Sequence, residues 1–195
     1  MALVYIGLGS NLGDRCENLR RGLSLLAQWE DVCVQAVSAV YETEPVAVRG
    51  GDFLNSVCSI TTEWEPRELL QILFRIESKL GRSSKGEREA RTLDMDILLY
   101  EQLIINEPGL VIPHPRLHLR VFVLIPLCEI APDVIHPVLG STCRDLLGAL
   151  KERHRVCKVL PGRALWSTCN GTLSAADDRG SNRCREDQFG EETRS

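Results

Sequence analysis

The stretch Arg91-Thr92-Leu93-Asp94-Met95-Asp96-Ile97-Leu98-Leu99-Tyr100 decides how the rest of this chain is read. Side chains alternate across a strand, so Leu93, Met95, Ile97 and Leu99 share one wholly apolar face, expected in the core. Asp94 and Asp96 fall together on the other face, followed by Leu98 and Tyr100. Two carboxylates spaced this way lie about 6.6 Å apart at Cα. Held that close and away from water they repel, and a cation or a proton relieves them. An oxygen-only ligand pair suits Mg²⁺, which commonly binds through one or two carboxylates plus substrate phosphates. On its own, Asp-x-Asp also fits an exposed strand start; its neighbours weigh against that.

Immediately upstream, Arg82, Lys85, Arg88 and Arg91 are offset only by Glu87 and Glu89, so the segment is net basic. Acids for a metal beside bases for phosphates form the pattern expected of phosphoryl chemistry on a nucleotide. A solvated basic loop is the plainer alternative. Further upstream, Pro66 suits the first turn of a helix and Gly81 the position after its end. Leu69, Leu70, Leu73, Ile76 and Leu80 form its buried stripe, with Glu77 near the C-terminal end.

Nearer the start, Leu3 to Leu8 reads as an apolar strand running into a glycine-rich loop, Gly7 to Arg15. Asp14 and Glu17 then form a capping-box-like helix start. Leu19, Leu23 and Leu26 lie on one face of that helix. The spacing is Gly-x-Gly-x-x-x-Gly, and no repeated βαβ units follow, so a dinucleotide-binding oxidoreductase is excluded. No Gly-Lys-Ser/Thr follows either, which excludes a P-loop. Close approach of a backbone or ligand is the better use for these glycines. Val32 to Tyr41 and Phe53 to Thr62 read as strands, separated by a loop with Pro45, Gly50 and Gly51. Asn55 stands among apolar neighbours, so its amide needs partners, from the protein or from a ligand.

After the Asp-x-Asp strand, Gln102 to Asn106 reads as a short strand, followed by Pro113-His114-Pro115. Val121 to Ile130 reads as a short buried helix, bent or interrupted at Pro126. Ser141 or Thr142 caps a last helix carrying Leu146, Leu147 and Leu150. Val156 to Leu160 is expected as an edge strand. From Pro161 to Ser195 polar residues dominate, so residues 1–160 are expected as one domain and 161–195 as a disordered tail. Strands and helices in unequal runs point to α+β, a largely antiparallel sheet flanked by helices.

Composition narrows the function classes. The chain has 195 residues, 44% of them hydrophobic and 26% charged, which is ordinary for a soluble domain. A net charge of −4 argues against a general nucleic-acid binder. No apolar run approaches the roughly 20 residues of a membrane span. Met1 to Tyr5 has neither a basic region nor a cleavage site, so no signal peptide is expected. The eight cysteines are scattered without a Cys-x-x-Cys pair. They are expected as reduced thiols in a cytoplasmic protein.

Taken together, four ordered blocks resemble the 6-hydroxymethyl-7,8-dihydropterin pyrophosphokinase family of folate biosynthesis. They are Tyr5 to Gly13, Phe53-Leu54-Asn55, Arg91 to Leu98, and Ile112 to Arg116 through Arg120-x-Phe122, with Pro126 to Pro132 as a tail of the last. The resemblance covers about residues 3 to 160 and implies a ferredoxin-like α+β sandwich. It implies transfer of pyrophosphate from ATP to the hydroxymethyl group of the reduced pterin, with release of AMP. Asp94 and Asp96 match the pair that holds two Mg²⁺ ions. Thr43, Val46, Phe53, Asn55 and Phe122 match positions around the pterin. Arg82, Arg91, His114 and Arg120 match groups on the triphosphate, with Arg82 and Arg91 also counted as catalytic. Glu77 and Ile97 lie where the nucleotide site is built. ATP and the pterin are the expected partners of a monomer, with neither nucleic acid nor membrane. One departure is the approach Arg88-Glu89-Ala90-Arg91, one residue shorter than usual and lacking the family's common aromatic and proline. It supports a competing reading, a catalytically weak nucleotide-binding relative with a regulatory role, which the Asp pair and His114 oppose.

Overall fold

The computed structural model describes residues 1–44, 51–81, 90–150 and 155–166. Val46, Arg82, the rest of the basic segment up to Glu89, and the tail from residue 167 onward therefore lie outside the described residues. The alternation of the first strand outruns its apolar residues: β1 (Ala2–Ser10) passes straight through Gly7 and Gly9, which are strand positions and not part of a loop. β1 sits between β4 (Phe53–Thr62) and β5 (Asp94–Tyr100), antiparallel to both. β4 also pairs with β2 (Val32–Val37) and β3 (Val40–Thr43), and β8 (Val156–Leu160) forms the outer edge against β3. The order β5-β1-β4-β3-β8, with β2 beside β4, makes a six-stranded sheet. A hairpin of β6 (Ile105–Glu107) and β7 (Leu110–Ile112) stands apart from it. This is the α+β architecture expected, and it is compatible with a ferredoxin-like sandwich.

Two helical layers cover the sheet. α1 (Arg15–Leu26) starts where the Asp14 carboxylate accepts the Glu17 N–H at 3.0 Å. α2 (Pro66–Lys79) starts where Glu68 accepts the Glu65 N–H at 3.1 Å, and beyond its end Gly81 adopts φ 95°. Leu19, Leu23, Leu26, Leu69, Leu73 and Ile76 from these helices pack on Val4, Ile6, Leu8, Ile60 and Met95. The opposite face carries α3 (Val121–Ile130) and α4 (Cys143–Ala149), whose Val123, Leu124, Leu127 and Cys143 pack on Tyr5, Val57, Leu98 and Leu99. α3 runs unbroken through Pro126, whose missing N–H costs only the bond to the Phe122 carbonyl. Of the two candidate caps for α4, Thr142 is the one used.

Three further expectations are corrected. The strand expected over Val32 to Tyr41 is split at Ser38 and Ala39, because the buried Ser38 Oγ accepts the Val57 N–H at 2.9 Å in place of a backbone carbonyl. The Leu93-Met95-Ile97-Leu99 face ends early. The register between β1 and β5 shifts after Ile6–Ile97 to Tyr5–Leu99, leaving Leu98 as an extra residue. That bulge sends Leu99 to the α3 side with Leu98 and turns Tyr100 to the α2 side. The third correction concerns the boundary at Leu160. α5 (Gly162–Trp166) follows it, with Leu165 fully buried and Trp166 6% exposed in the main core, so the folded part extends at least to Trp166.

Candidate active site

Gly7 and Gly9 matter because of what stands beside them. Gly9 pairs with Asn55 on β4 and Asp94 on β5, and Gly7 pairs with Val57 and Asp96. Residues paired across strands point the same way, so Asn55, Asp94 and Asp96 share the face opposite α1 and α2. A Cβ at Gly9 would lie 3.3 Å from Asn55 Oδ1, 3.8 Å from Phe53 Cδ1 and 3.9 Å from Asp94 Cβ. Glycine here keeps a trough open between an amide with an aromatic on one side and a carboxylate on the other. With strands about 4.8 Å apart, Asn55 and Asp94 flank it at roughly 10 Å between their Cα atoms.

On the amide side, Asn55 Nδ2 donates to Thr43 Oγ1 at 2.8 Å, both residues being buried. Thr43 in turn pairs with Phe53. The hydroxyl thereby fixes the amide and leaves Oδ1 toward the trough. Phe122, in the first turn of α3, lies under the Arg120 guanidinium, whose Cζ is 5.4 Å from the ring centroid. Burial, then Arg116, lowers the Arg120 pKa from its ordinary value, and the group remains a cation.

On the acid side, Arg91 pairs with Asp94 through Nη1. The Arg91 backbone is held twice by Asn11: its N–H donates to Asn11 Oδ1 at 2.7 Å, and its carbonyl accepts the Asn11 N–H at 3.0 Å. Asn11 carries no motif of its own in the sequence; its place just after the strand glycines was the available signal. His114 enters from the segment after β7, its N–H bonded to the carbonyl of the bulge residue Leu98 at 2.9 Å. Its Nε2 stands 3.9 Å from Asp96 Oδ2. Burial, then Arg120 and Arg116, holds its pKa down to about 4, so the ring is neutral at neutral pH. Nδ1 accepts the Arg116 N–H at 3.1 Å, which leaves the proton on Nε2, facing the carboxylates.

Glu77 and Ile97 are placed differently. Ile97 belongs to the core on the α2 side, and Glu77 Oε1 accepts the Met95 N–H of the edge strand β5 at 2.7 Å. The Ile97 side chain leaves β5 on the side away from Asp94 and Asp96, while Glu77 holds the strand at its edge. For a metal, the donors themselves are the test. Asp94 and Asp96 offer hard oxygens on one face, and the Asp96 side chain is 41% exposed. Among the described residues no group of three or more His, Cys, Asp or Glu converges. A pair of carboxylates completed by phosphate oxygens and water fits Mg²⁺ and does not suit a metal that needs a full protein cage.

A family model described as 7,8-dihydro-6-hydroxymethylpterin-pyrophosphokinase (HPPK) matches residues 5–132. The chain belongs to this family. A relative in Bacillus subtilis, a 2-amino-4-hydroxy-6-hydroxymethyldihydropteridine pyrophosphokinase, is 44% identical over 133 residues, 68% of this chain and 80% of that protein. The Methylorubrum extorquens protein of the same name is 40% identical over 151 residues, 77% of this chain and 94% of its own length. The Folic acid synthesis protein FOL1 of Dictyostelium discoideum is 36% identical over 173 residues, and this chain spans only 26% of it. Among solved structures, Plasmodium falciparum HPPK-DHPS with pteroate superposes at a TM-score of 0.63 over 75% of this chain and 44% of that one, with 14% identity. At that identity the likeness speaks to the fold alone. No described helix is long and apolar enough to cross a membrane.

Proposed function

We propose that this chain transfers pyrophosphate from ATP to the hydroxymethyl oxygen of 6-hydroxymethyl-7,8-dihydropterin, giving AMP and the pterin diphosphate. The observation that carries it is the row Asn55–Gly9–Asp94, an amide-and-aromatic side and a carboxylate side separated by a glycine trough. The names of the Bacillus and Methylorubrum relatives support the same activity. On the pterin side, Asn55 meets the donor and acceptor edge of the ring while Phe53 and Phe122 offer faces to stack on. Thr43 orients the amide, and Val46 joins the set from outside the described residues. On the phosphate side, Arg91, Arg120 and His114 meet triphosphate oxygens, with Arg82 assigned the same task. His114 acts as a neutral donor through Nε2–H and not as an acid, since its pKa is held near 4. Glu77 and Ile97 frame the nucleotide from the β5 edge.

Asp94 and Asp96 would hold the divalent cations, two Mg²⁺ ions in this proposal. When bound, these supply Lewis-acid neutralisation of the phosphate charge. The pterin hydroxyl oxygen attacks the β-phosphorus, the bridge from the α- to the β-phosphorus breaks, AMP leaves, and the hydroxyl proton is released. The transfer is direct, without a covalent enzyme intermediate. The proposal includes action as a monomer in the cytoplasm.

The test uses ATP labelled at both the β and γ positions, with products separated by ion exchange. Both labels should arrive on the pterin beside unlabelled AMP. ADP with a singly labelled pterin would sink the reading, and ATP left intact despite added pterin would favour the catalytically weak binding relative.

A further inference from the structure

On the α3–α4 side, away from the glycine trough, two sulfurs face each other. Cys128 on α3 and Cys143 at the start of α4 stand with their Sγ atoms 2.7 Å apart. A disulfide bond is about 2.05 Å long, so closing the gap asks for a small rotation of two side chains and no rearrangement of helices. The two thiols differ in access. Cys143 is 2% exposed, packed with Tyr5, Leu124 and Leu127, whereas Cys128 is only partly buried. Ordinary core packing would turn such thiols toward aliphatic neighbours; here each is the other's nearest polar partner, with the Leu124 carbonyl 3.8 Å from Cys143 Sγ.

We propose that Cys128 and Cys143 are a thiol-modification site, an attacking and a resolving cysteine that close a reversible intramolecular disulfide at the expense of a small-molecule disulfide of the glutathione class. The accessible Cys128 thiolate attacks one sulfur of the oxidant, whose S–S bond breaks and releases one thiolate. Cys143 then gives up its proton and attacks Cys128 Sγ, expelling the second thiolate. Two protein thiols are oxidised and one small disulfide is reduced to two thiols. The environment favours this order. The hydrogen bond from Cys143, aided by the Arg144 charge, lowers the Cys128 pKa, while that same bond and burial raise the Cys143 pKa. The product ties α3, which carries Phe122 at its other end, to α4. The inference stands independently of the pyrophosphokinase reading.

Trypsin cleavage after Arg120 and Arg144 leaves both cysteines on one peptide, Val121 to Arg144, which makes the test direct. The native protein is incubated with oxidised glutathione, quenched in acid, unfolded, alkylated with iodoacetamide and mapped by mass. The peptide should lose two hydrogens and both alkylation sites together, and dithiothreitol should restore them. The exposed Cys33 should meanwhile carry a glutathione adduct as the internal control. In Cys143→Ser the adduct should stop on Cys128; in Cys128→Ser, which alters only the partly buried partner, Cys143 should remain unmodified. The proposal is overturned if both cysteines of the native protein still alkylate at oxidant levels that modify Cys33. It is equally overturned if a glutathione adduct persists on Cys128 with Cys143 still free.

Discussion

At Gly9 the missing side chain leaves a trough bounded by Asn55 Oδ1, Phe53 and Asp94, and the backbone there is ordinary strand. Replacing glycine by alanine where the conformation is allowed commonly raises stability by about 0.4–1 kcal/mol through the unfolded chain. The contact 3.3 Å from Asn55 Oδ1 offsets part of that gain. Gly9→Ala is therefore expected to melt within a few degrees of wild type while pterin-dependent turnover falls at least tenfold, about 1.4 kcal/mol in the barrier. Thermal unfolding and steady-state kinetics measured together check it, and an unimpaired rate would mean the trough does not hold substrate. A second residue-scale prediction concerns His136, 5% exposed, whose Nδ1 accepts the N–H groups of Val138 and Leu139 at 3.3 Å. Burial, then the neighbouring His118, lowers its pKa from 6.5. The unfolded chain therefore takes up the proton first as pH falls. The histidine's contribution is fully present above about pH 6.5 and is lost as pH drops toward the folded value. Urea unfolding between pH 7.5 and 5 should show a shallower decline in His136→Gln than in wild type. Equal slopes would show that His136 titrates normally in the fold.

Elements were legible in the sequence wherever one local pattern determines them. The Asp14 cap, the Leu19-Leu23-Leu26 stripe and the Phe53–Thr62 strand depend on neighbours within a turn or two, and the structure has all three. What escaped depends on partners far along the chain. The Leu98 bulge is a matter of register against β1, and periodicity within β5 cannot show it. The side-by-side placement of the two glycines and two aspartates was half visible, since Gly7-x-Gly9 and Asp94-x-Asp96 share the period of a strand. Reading that glycine pair as a loop hid the trough. The break between β2 and β3 likewise rests on Ser38 reaching the Val57 N–H, with the Ser56 hydroxyl 3.1 Å away. Ser38→Ala would leave that buried N–H without its acceptor, a loss of about 1–3 kcal/mol. Chemical denaturation should show a lower midpoint at unchanged slope, whereas an unchanged midpoint would mean that the kink forms without the serine.

For the whole molecule, the sheet separates a larger core under α1, α2 and α5 from a smaller one under α3 and α4, and the site occupies the face of the smaller. The C-terminal turn belongs to the larger core. Gly162 sits so close to the β2–β3 break that a Cβ there would fall 2.1 Å from the Val37 carbonyl oxygen, and it thereby delivers Leu165 and Trp166 into the core. The polar composition after Pro161 concealed this, because two apolar residues matter more than their polar neighbours once a groove receives them. Ending the chain after Leu160 removes both. Stripping comparable core side chains costs on the order of 3 kcal/mol, even after the ordering entropy of an exposed end is returned. In a chain of this size that corresponds to a fall in Tm of about 6–12 °C. The proper reference is a chain ending at Trp166, so that only Pro161 to Trp166 differ. Calorimetry on the two should resolve the difference, and pterin-dependent activity below both transitions should remain, because the trough lies on the opposite face. Coincident melting curves would show that the last turn rests on the core without supporting it.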